Sequence, residues 1–205
     1  MIKFAAIIFS CFLSFTNPVS AKVYADVKLD SLIPHARLII PGKSIGLSFI
    51  NEKDAQLYKQ LKKPATEDAS MGGKVVATWY SGPIIHTGDT VINSTNIYFT
   101  TNMGQKNQAT RIDHIRVTSS FFITKQGLSS GSTFRNIQKQ FPKIRKAGSY
   151  TSPSTKQEVI IYDDVAGGIA FEIDAQHKCI AITVHPPHKK SFEIYNSLFA
   201  DVNYL

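Results

Sequence analysis

Cysteine is nearly absent: the 205 residues hold two, Cys11 and Cys179. Cys11 falls inside an N-terminal leader, so the mature chain keeps Cys179 alone and has no internal disulfide. Its stability must come from a hydrophobic core, and the chain is long enough to bury one. Cys179, between Lys178 and Ile180, reads as a small strand residue rather than a reactive thiol. Long apolar runs are also missing beyond the first. Residues 4–15 form an apolar stretch of about a dozen residues, short of the roughly 20 that span a bilayer and interrupted by Asn17-Pro18. With the positive start Met1-Ile2-Lys3 and the small residues Val19-Ser20-Ala21, this stretch reads as a signal peptide over residues 1–21, cleaved near Ala21. The expectation is a secreted or periplasmic protein with no transmembrane segment in the mature chain.

Catalytic signatures are missing as well. The sequence has no Gly-x-Ser-x-Gly, His-Glu-x-x-His or Cys-x-x-Cys. Gly42-Lys43-Ser44 resembles the end of a phosphate-binding loop, but Arg37 stands where the first glycine is required. Asp163-Asp164 suits a strand end turning into a loop better than a proton-sharing pair. His185 and His188, joined by Pro186-Pro187, offer two metal ligands that Glu193 could complete. His177 lies one strand away, about 25 Å at roughly 3.3 Å per residue, and cannot join them. No cofactor is expected, and a metal-dependent hydrolase is the third functional reading rather than the first.

Acidic residues are in deficit. Fifteen Asp and Glu face 23 Lys and Arg, for a formal charge of +8. The densest basic stretch is Arg135, Lys139, Lys143, Arg145 and Lys146. Such a balance favours an acidic protein or an anionic envelope component as partner. Nucleic acid is not expected, because no reader motif is present.

What is present is a pattern that occurs twice. In the first copy Asn51 precedes a helical segment with Leu57, Tyr58 and Leu61 on one face, stopped by Pro64. In the second, Ser132 precedes Phe134, Ile137 and Phe141, stopped by Pro142. Gly46 and Gly131 lie upstream of each. Three strand-like runs then follow each helix, at 74–80, 96–101 and 111–118, and at 158–163, 168–174 and 178–185. The offset between matched positions shrinks along the chain because the first copy has longer connections at 81–95 and 102–110. Length differences confined to loops fit duplication and drift on one scaffold. Before the first copy, Val23, Ala25, Val27 and Leu29 alternate as an opening strand, and after the second, Phe192, Tyr195, Phe199 and Val202 recur at helical spacing and suggest a helix covering an edge. The predicted class is α+β, two tandem helix-plus-antiparallel-sheet repeats with helices on one sheet face. Residues 22–119 hold the first repeat and its N-terminal strand, residues 120–205 the second repeat and its C-terminal helix. The connection at 118–124 is too apolar for a free tether, with Phe121, Phe122 and Ile123.

The run Lys125-Gln126-Gly127-Leu128-Ser129-Ser130-Gly131-Ser132, followed by Ile137 to Pro142, carries a Gly-hydrophobic pair, a second glycine, a short helix and an aromatic-proline stop. With the tandem pattern it resembles the β-lactamase inhibitor protein architecture and the small envelope lipoproteins related to the outer-membrane assembly factor BamE. The chain departs from both, lacking the lipid-anchor cysteine and the paired cysteines of the secreted inhibitor. The resemblance implies a non-enzymatic binding module, such as an inhibitor of a secreted or periplasmic hydrolase, or an envelope assembly or cell-wall-associated factor. Helices on one sheet face would leave the other free for contact. Strand alternation puts Ala77, Trp79, Ile97, Phe99, Ile115 and Val117 on the covered face, with Val159, Ile161, Ile169, Phe171, Ile182 and Val184. The free face would then carry Tyr80, Tyr98, His114, Arg116, Tyr162 and Glu172, and Tyr and Arg are common anchors of interfaces.

Overall fold

The computed structural model describes residues 34–70, 74–81, 93–104 and 108–205. The expected leader, the expected opening strand and most of the 81–95 connection lie outside the described residues.

The chain is a mixed α+β protein, mostly strands, with three helices and two sheets among the described residues. The first helix, α1 (Asp54–Leu61), is held by Leu57, which is fully buried. It begins after Lys53 rather than at Asn51; Asn51 adopts φ +70°, and its carbonyl accepts a bond from Arg111 Nη1 at 2.8 Å. Four strands follow rather than three: β4 (Thr66–Ser70), β5 (Lys74–Ser81), β6 (Asn93–Thr101) and β7 (Thr110–Val117). The unexpected β4, Thr-Glu-Asp-Ala-Ser, is an edge strand whose charge discourages further pairing. The second helix, α2 (Phe134–Gln140), is capped by Thr133, one residue after the expected Ser132; its hydroxyl accepts from the Asn136 amide at 3.3 Å. It leads into β9 (Arg145–Thr151), also unexpected, then β10 (Glu158–Asp164), β11 (Ile169–Ile173) and β12 (Cys179–Val184). The chain closes with α3 (Phe192–Leu198) and β13 (Asn203–Tyr204).

These strands form one antiparallel nine-stranded sheet in the order β13-β9-β10-β11-β12-β7-β6-β5-β4. Its centre is the pairing of β12 with β7, where Ile182, Thr183 and Val184 face Val117, Arg116 and Ile115. A four-stranded sheet packs beside it, ordered β3 (Ser48–Phe49), β2 (Ser44–Ile45), β1 (Leu38–Ile40) and β8 (Ile123–Thr124). Its contact with the large sheet is tight at Gly168. That residue has φ +73°, and an added Cβ would lie 2.4 Å from the His185 carbonyl oxygen and 2.7 Å from Gly42 Cα. Only glycine fits there.

Both faces of the large sheet are covered. On one face Ala77, Ile97, Phe99, Ile115, Val117, Ile169, Phe171, Ile182 and Val184 pack with Leu57 of α1, Ile137 of α2 and Ile39 and Ile45 of the small sheet. On the other, Val76, Tyr98, Tyr150, Val159, Ile161 and Ala170 pack against Ile194 and Tyr195 of α3. The expectation of helices on one face, with the last helix at an edge, is corrected here: α3 lies across the second face, and β13 takes the edge beside β9. Parity also shifts on β10. Tyr162 pairs with Phe171, so it shares that residue's face and stacks on Phe134 of α2, with ring centroids 4.2 Å apart. Val159 and Ile161 therefore turn to the α3 side.

Candidate functional site

The predicted free face is sealed. A row of polar residues crosses it from strand to strand, since residues directly opposite in a sheet share a face. Thr78 faces Asn96, and Asn96 faces Arg116. Asn96 Nδ2 donates to Thr78 Oγ1 at 2.9 Å, and Arg116 Nη1 donates to Asn96 Oδ1 at 2.9 Å. Arg116 then reaches past β12 to Glu172, with Nε to Oε1 at 2.6 Å and Nη2 to Oε2 at 2.7 Å. Tyr150 donates its hydroxyl to Glu172 Oε2 at 2.6 Å. Phe199 closes the row: its ring stacks on Tyr150 at 3.8 Å and 9°, and the Arg116 guanidinium lies 5.5 Å from its centre.

The correction to the predicted contact face is therefore specific. Tyr98 and His114 are buried, Arg116 is 7% exposed and Glu172 is 0% exposed, because α3 and Phe199 cover them. Tyr162 is half-buried under α2. Of the six, Tyr80 alone keeps a large open surface, at 43%. Burial alone would weaken the Arg116 proton affinity, but Glu172 beside it raises it above the ordinary arginine value. Burial and Glu172 push the Tyr150 hydroxyl well up, and the same two causes raise Tyr195. This is a fully partnered buried charge pair, with nothing left over for an external ligand.

The histidines likewise turn inward. His185 is fully buried; its Nε2 lies 3.0 Å from Asp163 Oδ1 and its Nδ1 3.0 Å from the Pro186 carbonyl oxygen. Asp163 Oδ2 accepts from both the amide and the hydroxyl of Ser191, at 3.1 and 2.8 Å, which ties down the start of α3. Here aspartate sits between histidine and serine. A nucleophilic relay needs histidine in the middle, so this trio anchors α3 rather than activating Ser191. His188 is exposed, and Glu193 accepts from Tyr98 at 3.2 Å. The structure does not bring His185, His188 and Glu193 together, and no group of three or more metal-ligating side chains occurs among the described residues. His114 stacks 5.8 Å from His185, and its Nδ1 lies 3.0 Å from Asp113 Oδ2, off the line of a directed bond. Burial raises the Asp113 carboxyl, but His114 and Lys189 together bring it below its ordinary value. Burial pushes the Cys179 thiol far up, which leaves it unreactive at neutral pH.

Two depressions open on the outside of the described residues. One, of about 380 Å³, is lined by Asn51, Thr100, Asn102, Arg111, Asp113 and Lys189, with Ile50, Ile112 and Pro186. Its charges are already engaged: Lys189 donates to Asp113 at 2.5 Å and Arg111 to the Asn51 carbonyl. The other, of about 550 Å³, is an apolar groove where the small sheet meets the first half of the large one. Ile45, Leu47 and Ser48 come from the small sheet, Leu61 from the end of α1, Trp79, Tyr80 and Ser81 from β5, and Phe121 and Phe122 from the connection before β8. Trp79 is held by its Nε1 donating to the Lys62 carbonyl at 3.3 Å. Leu47, Tyr80 and Phe121 stand 53%, 43% and 50% exposed around the groove, and Phe49 nearby is 49% exposed. Sequence reasoning pointed at the apolar 118–124 connection and at Tyr80 separately; nothing in their spacing joins them.

Four phenols, two buried and two half-buried, carry a spectroscopic signature. Tyr58, Tyr150, Tyr195 and Tyr204 all have hydroxyls raised above 10, Tyr204 to about 12, with burial the leading cause. A raised folded value contributes stability that is whole below the unfolded value near 10 and is lost as pH climbs through the folded one. Phenolate absorbance is therefore expected to show these four ionising late, together with loss of near-ultraviolet circular dichroism.

No helix among the described residues is long and apolar enough to cross a membrane. No family model matches the chain, and no curated protein does. Among solved structures it is similar to a DUF4309 family protein, YjgB, from Bacillus subtilis subsp. subtilis str. 168, at 13% identity over 71% of this chain and 88% of that one, with a TM-score of 0.39. It is also similar to an extracellular protein containing an SCP domain from Bacillus anthracis str. Ames, at 8% identity over 68% of this chain and 44% of that one, with a TM-score of 0.38.

Proposed function

We propose that the chain is an exported, non-enzymatic binding module made of two helix-plus-meander repeats, and that it holds a protein partner at the apolar groove. The order of the large sheet supports the duplication: β4 to β7 after α1 and β9 to β12 after α2 meet last strand to last strand. The observation that carries the binding reading is the ring of half-exposed Leu47, Tyr80 and Phe121 around a groove of about 550 Å³. Clustered large apolar side chains left in water mark contact sites, and aromatic anchors in a pocket carry most of the energy of an interface. The buried His185 is bonded to Asp163, which in turn holds Ser191, and this weighs against the hydrolase reading. The net positive charge would steer an acidic partner, whether an enzyme to be inhibited or an envelope assembly component.

Tyr80→Ala combined with Phe121→Ala is expected to abolish crosslinked capture of the partner from native envelopes. Both side chains are about half exposed, so the melting temperature should move little. Undiminished capture by a folded double variant would count against the groove.

A further inference from the structure

We infer that the groove accepts an apolar acyl chain ending in a carboxylate, with Arg37 supplying the counter-charge; this rests on the groove being the contact site proposed above. Most of the described lining is apolar, interrupted by Ser48, Ser81, Asn93, Thr95 and Ser119, and no acidic residue lines it among the described residues. A volume of about 550 Å³ lies within the range of small-molecule sites, roughly 300–1,000 Å³. The rim carries a cation fixed in place. Arg37 follows Ala36, which lines the groove, and its Nε donates to the Phe121 carbonyl at 3.0 Å. The guanidinium carbon lies 5.0 Å from the centre of the Phe121 ring. These contacts orient the guanidinium and leave its two terminal nitrogens without a bond among the described residues. That open fork matches the two oxygens of a carboxylate, and it is ordered before the ligand arrives. The body is better read as a flexible chain than as a flat ring. The Phe121 and Phe122 rings stand at 88° to each other, so they form a corner rather than a slot.

The chain contains one tryptophan, and Trp79 lines this groove. Its fluorescence therefore reports occupancy directly. The purified protein is titrated with dodecanoate and with dodecyltrimethylammonium, both below their micelle concentrations. Dodecanoate is expected to give a saturable blue shift, with affinity rising about fourfold per methylene from octanoate to dodecanoate. The cationic amphiphile should bind at least tenfold more weakly. Arg37→Gln should weaken dodecanoate about tenfold or more and leave the cation unchanged, since a charged hydrogen-bonded pair is lost. Leu47→Glu, placing a negative charge in the wall, should weaken dodecanoate and not the cation. Absence of a saturable response, equal affinity for the two head groups, or indifference to both substitutions would overturn the inference. If that happens while Tyr80→Ala with Phe121→Ala still abolishes partner capture, the carboxylate ligand fails and the binding module stands. If capture also survives the double variant, both readings fall.

Discussion

Glu172→Ala is expected to destabilise the protein by about 3–5 kcal/mol, because it leaves a buried guanidinium without its counter-charge. Glu172 is fully buried, accepts two bonds from Arg116 and takes a third from Tyr150. Removing it breaks three donated bonds beneath Phe199, where little solvent can replace the lost oxygens. A loss of that size is a large part of the roughly 5–15 kcal/mol that holds a domain together. Urea denaturation measures it as a fall in midpoint at unchanged slope. Replacing both charges, Arg116→Met with Glu172→Leu, should recover most of the loss, since desolvating the pair offsets much of its attraction. A single-variant loss under about 1 kcal/mol, the range of an exposed ion pair, would mean that water reaches this face.

Removing residues 191–205 is expected to convert the protein into a collapsed state without fixed packing. The segment supplies Ile194 and Tyr195, both buried on the sheet, with Phe199 over Tyr150 and Arg116 and β13 paired to β9. Full burial of one such large side chain contributes about 1.5–3 kcal/mol, so losing Ile194 and Tyr195 together with the partly buried Phe199 removes a large share of the stability of the domain. It also uncovers Tyr98, His114, Arg116 and Glu172 together. The truncated chain should keep its far-ultraviolet dichroism, lose its near-ultraviolet signal and bind a hydrophobic dye. A milder variant gives the same information where the truncation is insoluble. Tyr195→Ala opens the same cover and breaks the 2.9 Å bond to Thr183, at an expected loss of about 3–5 kcal/mol, judged from other aromatic truncations. A truncated chain that melts cooperatively near the intact temperature would show that α3 is an accessory and the sheet face a surface.

The contrast between these two buried faces shows what could be read before the fold was known. Alternation assigned Ala77, Ile97, Phe99, Ile115 and Val117 correctly to the side packed by α1 and α2, because the apolar residues of those strands are concentrated on that side, with Val76 and Tyr98 the exceptions. The same alternation made Tyr98, His114, Arg116 and Glu172 look solvated, since polar strand positions usually are. Their partners are invisible locally: Arg116 and Glu172 are 56 residues apart, and Tyr98 and Glu193 are 95 apart. Polar residues that satisfy one another across strands carry no periodic mark to separate them from residues facing water. The helix at 192–198 was legible from Phe192 and Tyr195, but its apolar stripe gives no address on the sheet. β4 and β9 were missed because Thr-Glu-Asp-Ala-Ser and Arg-Lys-Ala-Gly-Ser-Tyr-Thr lack the apolar content of a strand; pairing to β5 and β10 makes them strands. The groove was least legible of all. Its lining comes from the turn at His35–Arg37, the small sheet, α1, β5, β6 and the 118–124 connection, with few residues from each.

Partner contact is proposed at the groove, and the sheet face is core. Photocrosslinking from single positions tests that division most directly. A photoreactive phenylalanine analogue is placed in turn at Leu47, Tyr80 and Phe121, and at the exposed control positions Gln157 and Lys178, and the intact protein is irradiated in its native envelope. One common adduct is expected from the three groove positions and none from the controls. Adducts confined to the controls, or shared equally by all five positions, would contradict it.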